Sequence, residues 1–123
     1  MIVEQRPGRQ LKRKVLGLLK SQDFSRALSE LRLLPARRVI NPLLSFFCHD
    51  DEEVRWRAIT AAGEVVEHLA ATDRESARII MRRLLWSLND ESGGIGWGAP
   101  EAMGEIMARD EPLAQEYSSI FVS

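Results

Sequence analysis

The stretch "SGGIGWGAPEAMGEI", residues 92–106, gathers five of the chain's eight glycines around a tryptophan, a proline and two glutamates. Glycines ahead of a helix start can leave backbone N–H groups free to hold an anion. Here no strand-like segment precedes the glycines, no lysine follows them, and Glu91, Glu101 and Glu105 surround them. A phosphate loop or dinucleotide fingerprint needs the opposite on each count. Gly93, Gly94 and Gly96, beside Trp97, therefore read either as a loop shaping a peptide or cofactor surface, or as a plain connector.

Other reactive side chains are sparse. There are two histidines, His49 and His68, and one cysteine, Cys48. A single thiol rules out a disulfide framework and a cysteine-based metal site. On the apolar side of its segment, Cys48 is expected in the core. Glu67-His68 is the single adjacent Glu/His pair, too few ligands for a metal. No serine or cysteine stands in a recognisable nucleophile setting. No catalytic residue, metal or cofactor is expected.

The elements that must position these residues are helices. At 123 residues and 45% hydrophobic, the chain suits one globular domain with its own core. β-branched alternation is absent and apolar residues recur at helical spacing. Residues 8–20 place Leu11, Val15, Leu18 and Leu19 on one face. Asp23 is placed to cap a helix over 24–34, and Pro35 ends that helix or begins the next. Residues 36–48 form a third helix, which Pro42 should bend. The acidic "HDDEE" suits the start of a long helix, about 51–70. Asp73 caps 74–88, Pro100 sits in the first turn of a helix from about 99, and 111–121 forms a last short helix. The ending "EPLAQEYSSIFVS" lacks the polar cap of a terminal repeat, which predicts a further partner surface or a chain that continues.

An offset of 41 residues exposes an internal repeat. "VRWRAITAAGEVV" from Val54 falls on "IGWGAPEAMGEIM" from Ile95. Trp56, Ala58, Ala61, Gly63 and Glu64 recur as Trp97, Ala99, Ala102, Gly104 and Glu105, and Leu43-Leu44 recur as Leu84-Leu85. Such a period belongs to stacked helical hairpins. Gly63 and Gly104 each cost about 1 kcal/mol relative to alanine in a helix. Close packing against a neighbouring helix is the expected compensation for both.

"NPLLSFFCHDDEEVRWRAITAAGEV" resembles a HEAT-type repeat of the bacterial PBS-lyase HEAT-like variety. The residues that carry the resemblance are Leu43-Leu44, Asp50-Asp51, Val54-Arg55, Ala58, Ala61 and Gly63. The second copy departs from it: Gly96 stands at the position of Arg55, and glycines expand the acidic turn. The resemblance implies an all-α, right-handed α-α superhelix (a HEAT/armadillo-like solenoid) of about three helical hairpins in a single domain, 1–123. The hairpins are expected at 8–34, 36–70 and 74–109, with the C-terminal helix 111–121 following. It further implies a non-enzymatic scaffold or adaptor for another protein. The alternative it implies is an accessory, chaperone or lyase-like protein for a tetrapyrrole or other cofactor. Iron-binding hydroxylases built on HEAT repeats use several Glu/His pairs, and here Ala108-Arg109 stand opposite Glu67-His68.

Second helices of such solenoids usually line the concave surface. Trp56, Thr60 and Glu64 share one stripe, and Trp97, Glu101 and Glu105 share the matching one. Trp56, Trp97, Glu64, Glu101 and Glu105, with Asp90, are then expected to form an aromatic and acidic patch suited to a basic or amphipathic peptide; the alternative is that both tryptophans are core between repeats, copied by duplication. Charge is also uneven along the chain: residues 1–40 hold ten Lys/Arg against three Asp/Glu, and the remainder seven against fifteen. Opposite halves allow self-association by head-to-tail stacking, as does the apolar C-terminus. Nucleic acid is a weaker expectation, although DNA glycosylases with HEAT-like folds exist. The basic set is Arg6, Arg9, Lys12, Arg13, Lys14, Lys20, Arg37 and Arg38, and Lys12, Arg13 and Lys14 fan around their helix. No signal peptide or run of ~20 apolar residues is present, so a cytoplasmic location and no membrane contact are expected.

Overall fold

A computed structural model describes residues 7–89 and 98–117 of the chain. The described residues are almost entirely helical and include no strand. Seven α-helices follow one another: α1 (Pro7–Leu19), α2 (Phe24–Leu33), α3 (Ala36–Ser45), α4 (Glu52–Thr72), α5 (Arg74–Asn89), α6 (Ala99–Arg109) and α7 (Glu111–Tyr117). A 3-10 turn, Phe46–Cys48, joins α3 to the loop before α4.

Local chemistry accounts for most of the boundaries. The Asp23 carboxylate accepts from Arg26 N–H at 3.1 Å, and Asp51 accepts from Glu53 N–H at 2.9 Å. Each satisfies a donor that its helix start leaves open. Asp73 accepts both the backbone N–H of Ser76, at 3.1 Å, and its hydroxyl, at 2.7 Å. Asp110 caps α7 through Leu113 N–H at 3.0 Å. Gly98 precedes α6 with φ +83°, a left-handed conformation that a side chain resists. Phe47 is fully buried beside it, and a Cβ on Gly98 would lie 3.3 Å from its ring.

Pro42 lies inside α3 and is buried. The α-helix ends three residues later, and the 3-10 turn carries Phe46 and Phe47 into the core while Cys48 emerges exposed. The core position expected for the thiol is thus corrected: the change of helical type at Phe46 shifts the phase of the last residues.

One apolar cluster runs through the molecule, from Val15 and Leu19 to Leu113 and Tyr117. Among the described residues no polar or charged one is buried. Consecutive helices pack on one another, α1 on α2, α3 on α4, α4 on α5, α5 on α6 and α6 on α7. The long α4 is the hub, touching α1, α2, α3, α5 and α6. Its small residues Ala58, Ala61, Ala62 and Gly63 are all buried. A Cβ on Gly63 would lie 3.0 Å from both Glu105 Cβ and Arg109 Nε, so α6 presses on α4 at this point. Gly104 differs: nothing lies within 4 Å of the corresponding position. Close packing compensates Gly63 and does not compensate Gly104, because no described helix covers the outer side of α6 there.

Arginines tie the helices together. Arg57 donates to the carbonyls of Leu19, at 2.9 Å, and Ser21, at 2.7 Å, at the end of α1 where the helix dipole favours a cation. Arg37 pairs with Asp73, and Arg74 pairs with Asp110 at 2.9 Å. In both cases an arginine from the first turn of one helix holds the carboxylate that caps another.

Candidate functional site

The row proposed on α4 is arranged as its spacing requires. Trp56 is 45% exposed, Thr60 is half-buried, and both border a shallow depression of 410 Å³ with Glu52, Glu53 and Arg57. Arg57 is held there by Glu53 at 2.6 Å and lies 4.8 Å from the centre of the Phe24 ring. The indole is therefore displayed on a well-supported turn of helix, with carboxylates on the turn before it.

Glu64, one turn farther on, is not a free carboxylate. Arg109 of α6 lies between three acidic groups, 3.5 Å from Glu64, 3.6 Å from Glu67 and 3.4 Å from Glu105. Glu64 and Glu105 of the expected acidic patch thus share one guanidinium, which cancels part of their charge. Arg109 is the residue that takes the place of a second Glu/His pair in the repeat, and it pairs back to Glu67. His68 is exposed. Glu101 is exposed on the first turn of α6. Asp90, Gly93, Gly94, Gly96 and Trp97 lie outside the described residues. No group of three or more His, Cys, Asp or Glu side chains among the described residues is placed to hold a metal ion.

A second feature escaped the sequence reading. Lys12 and Lys14 of α1 and Arg37 and Arg38 of α3 line one groove of 720 Å³. The side chains of consecutive basic residues on α1 do fan out, and Arg13 is absent from this lining. The groove exists because α1 packs beside α3, and residue spacing within α1 alone does not encode that contact. Basic character in fact follows the helices. α1 and α3 carry no carboxylate, and α5 sets Arg74, Arg78, Arg82 and Arg83 against Glu75 alone. Trp86 on α5 is 75% exposed and Ile79 is 48% exposed, a further apolar stripe among arginines.

The Asp73 carboxyl is held down to about 2, by the Ser76 hydroxyl first and then by Arg37. Asp110 is likewise held below the usual carboxylate range, by Arg74 first, against an opposing effect of burial, with Leu113 N–H adding a smaller contribution in the same direction as Arg74. Both belong to structural latches, away from Trp56.

No helix among the described residues is long and apolar enough to cross a membrane. No family model matches the chain. No solved structure matches it. Over 81 residues, 66% of its length, the chain is 33% identical to an uncharacterized protein of Archaeoglobus fulgidus. It spans 41% of that relative.

Proposed function

We propose that the chain is a HEAT-like stack of helical hairpins that acts as a non-enzymatic scaffold and binds another protein through the Trp56 surface of α4. The pairing of consecutive helices, the 41-residue repeat and the Arg–Asp latches support the hairpin reading. The observation that carries the binding reading is the exposure of Trp56. A large indole stands 45% exposed there beside Glu52, Glu53 and Thr60, and unlike the more exposed Trp86, which lies among arginines, it has carboxylates next to it. Tryptophan beside carboxylates gives a partner an apolar anchor and a charge to read, the combination found at binding hot spots. Basic or amphipathic segments fit that chemistry.

The test is affinity capture from a cell extract with mass spectrometry, comparing the wild-type chain with Trp56→Ala. A partner captured by the first and lost by the second, with unchanged circular dichroism, supports the reading. Identical captures by both remove Trp56 from it.

A further inference from the structure

We infer that the groove between α1 and α3 is a second binding site, of opposite polarity, for an acidic peptide segment that carries an apolar residue between its carboxylates. One wall presents Lys12 and Lys14, the other Arg37 and Arg38, and no carboxylate lines the groove. Leu11, Leu34 and Pro42 line the same groove and give the cations an apolar floor to flank.

The cations are not equally committed. Arg37 is engaged by Asp73, and the Lys12 ammonium lies 5.6 Å from the centre of the Phe46 ring. Lys14 and Arg38 have no carboxylate partner among the described residues and are exposed. Asn41 adds a directed donor. Arg83 Nη1 donates to its Oδ1 at 2.7 Å, which orients the amide and leaves its NH₂ hydrogens for a ligand carbonyl. Ser45 spends its hydroxyl hydrogen on the Pro42 carbonyl at 2.6 Å. The lining thus offers mainly donors and positive charge, and its complement is rich in acceptors and negative.

A peptide fits this complement better than a nucleic acid does. The wall from Leu34 to Ser45 runs ~16 Å at helical rise. That length matches about five residues of extended chain. The apolar floor rewards a leucine-like side chain, which a sugar-phosphate strand lacks. Polyanion binding draws on a long basic track, whereas this chain has net charge −1 and pI ≈ 6.1, with the acidic start of α4 following directly after α3 and its 3-10 turn.

Fluorescence anisotropy on the full chain tests the proposal, with a fluorescein-labelled Glu-Asp-Leu-Glu-Glu peptide as the probe. Saturable binding is expected, weakened at least about tenfold by the double variant Lys14→Glu with Arg38→Glu, and weakened likewise when the probe's leucine becomes glycine. Both substituted positions are exposed, and circular dichroism checks the fold of the variant. Absence of binding, or binding that the double variant leaves unchanged, overturns the proposal. So does tighter binding of a labelled single-stranded oligonucleotide that the same variant abolishes, which makes the groove a nucleic-acid site. Salt-sensitive dimerisation of the unlabelled chain, lost in the double variant and not competed by the peptide, assigns the groove to a second copy and equally overturns it. The Trp56→Ala variant should bind the probe as the wild type does, so failure at either surface can be told from failure at the other.

Discussion

The guanidinium of Arg74 grips both carboxylate oxygens of Asp110, at 2.9 and 3.3 Å, while the same carboxylate caps α7 through Leu113 N–H. With the Asp110 side chain only 10% exposed, the pair is less screened than a surface salt bridge. Arg37 and Asp73 repeat the arrangement one helix pair earlier. Asp110→Ala removes a cap and a two-pronged ion pair together and should cost about 1–3 kcal/mol in urea unfolding at neutral pH. Asp110→Asn keeps much of the cap and should cost less. Equal losses for the two would show that the cap contributes nothing, and no loss for Asp110→Asn would show the same of the charge.

The same carboxylates give stability a direction with pH. Asp73 titrates at about 2 in the folded chain, against an ordinary 3.8. A lowered folded value means that the stabilisation is complete above the unfolded pKa and is lost as pH falls through the folded one. Asp110 acts in the same sense through Arg74. Urea midpoints should therefore hold steady down to roughly pH 5 and fall between there and pH 2. The double variant Asp73→Asn with Asp110→Asn should start lower and fall less steeply. Parallel decline of variant and wild type would exclude these two groups as the source.

Much of the fold was legible because helix ends and core faces are local properties. Asp23, Asp51 and Asp73 cap within three residues of themselves, and Val54, Ala58, Ala61, Val65 and Leu69 share a buried face by spacing alone. What escaped depends on which helices meet. The groove needs α1 beside α3, and the pairing of Arg109 with Glu64 and Glu67 needs α6 pressed on α4. Glu64 looked free because its neutralising arginine lies in another helix, whereas Glu105 and Arg109 stand four residues apart on α6 and that pair was open to reading from spacing. Cys48 was misplaced for a different reason, a local change from α to 3-10 geometry that periodicity does not report.

Gly63 and Gly104 sharpen the point, since the repeat makes them equivalent in sequence while their surroundings differ. Gly104→Ala gains helix propensity with open space around the new methyl, and should stabilise by about 0.5–1 kcal/mol. Gly63→Ala gains the same propensity but must displace Arg109 and the less mobile Glu105 Cβ, each 3.0 Å away. The ordering of melting temperatures should be Gly104→Ala above wild type above Gly63→Ala. A Gly63→Ala variant that matches Gly104→Ala would mean that α4 and α6 do not approach as described.

Gly98 and Phe47 set the entry to α6 and give the largest expected loss. Gly98→Ala forces a side chain into φ +83° at roughly 1–2 kcal/mol and brings its Cβ within 3.3 Å of the Phe47 ring. Phe47→Ala empties a fully buried site and should cost about 3–5 kcal/mol. The two are coupled through one contact. A double variant, with the ring gone, relieves the part of the clash that comes from the ring but keeps the contact with the Cβ of residue 47 and the backbone strain. Its loss should fall short of the sum of the single losses by about the ring's share of the steric penalty of Gly98→Ala. Additive losses in a double-mutant cycle would show that the ring does not lie against Gly98. By the same measure Trp56→Ala, at an exposed indole, should change stability far less than Phe47→Ala, which is what allows it to report on binding.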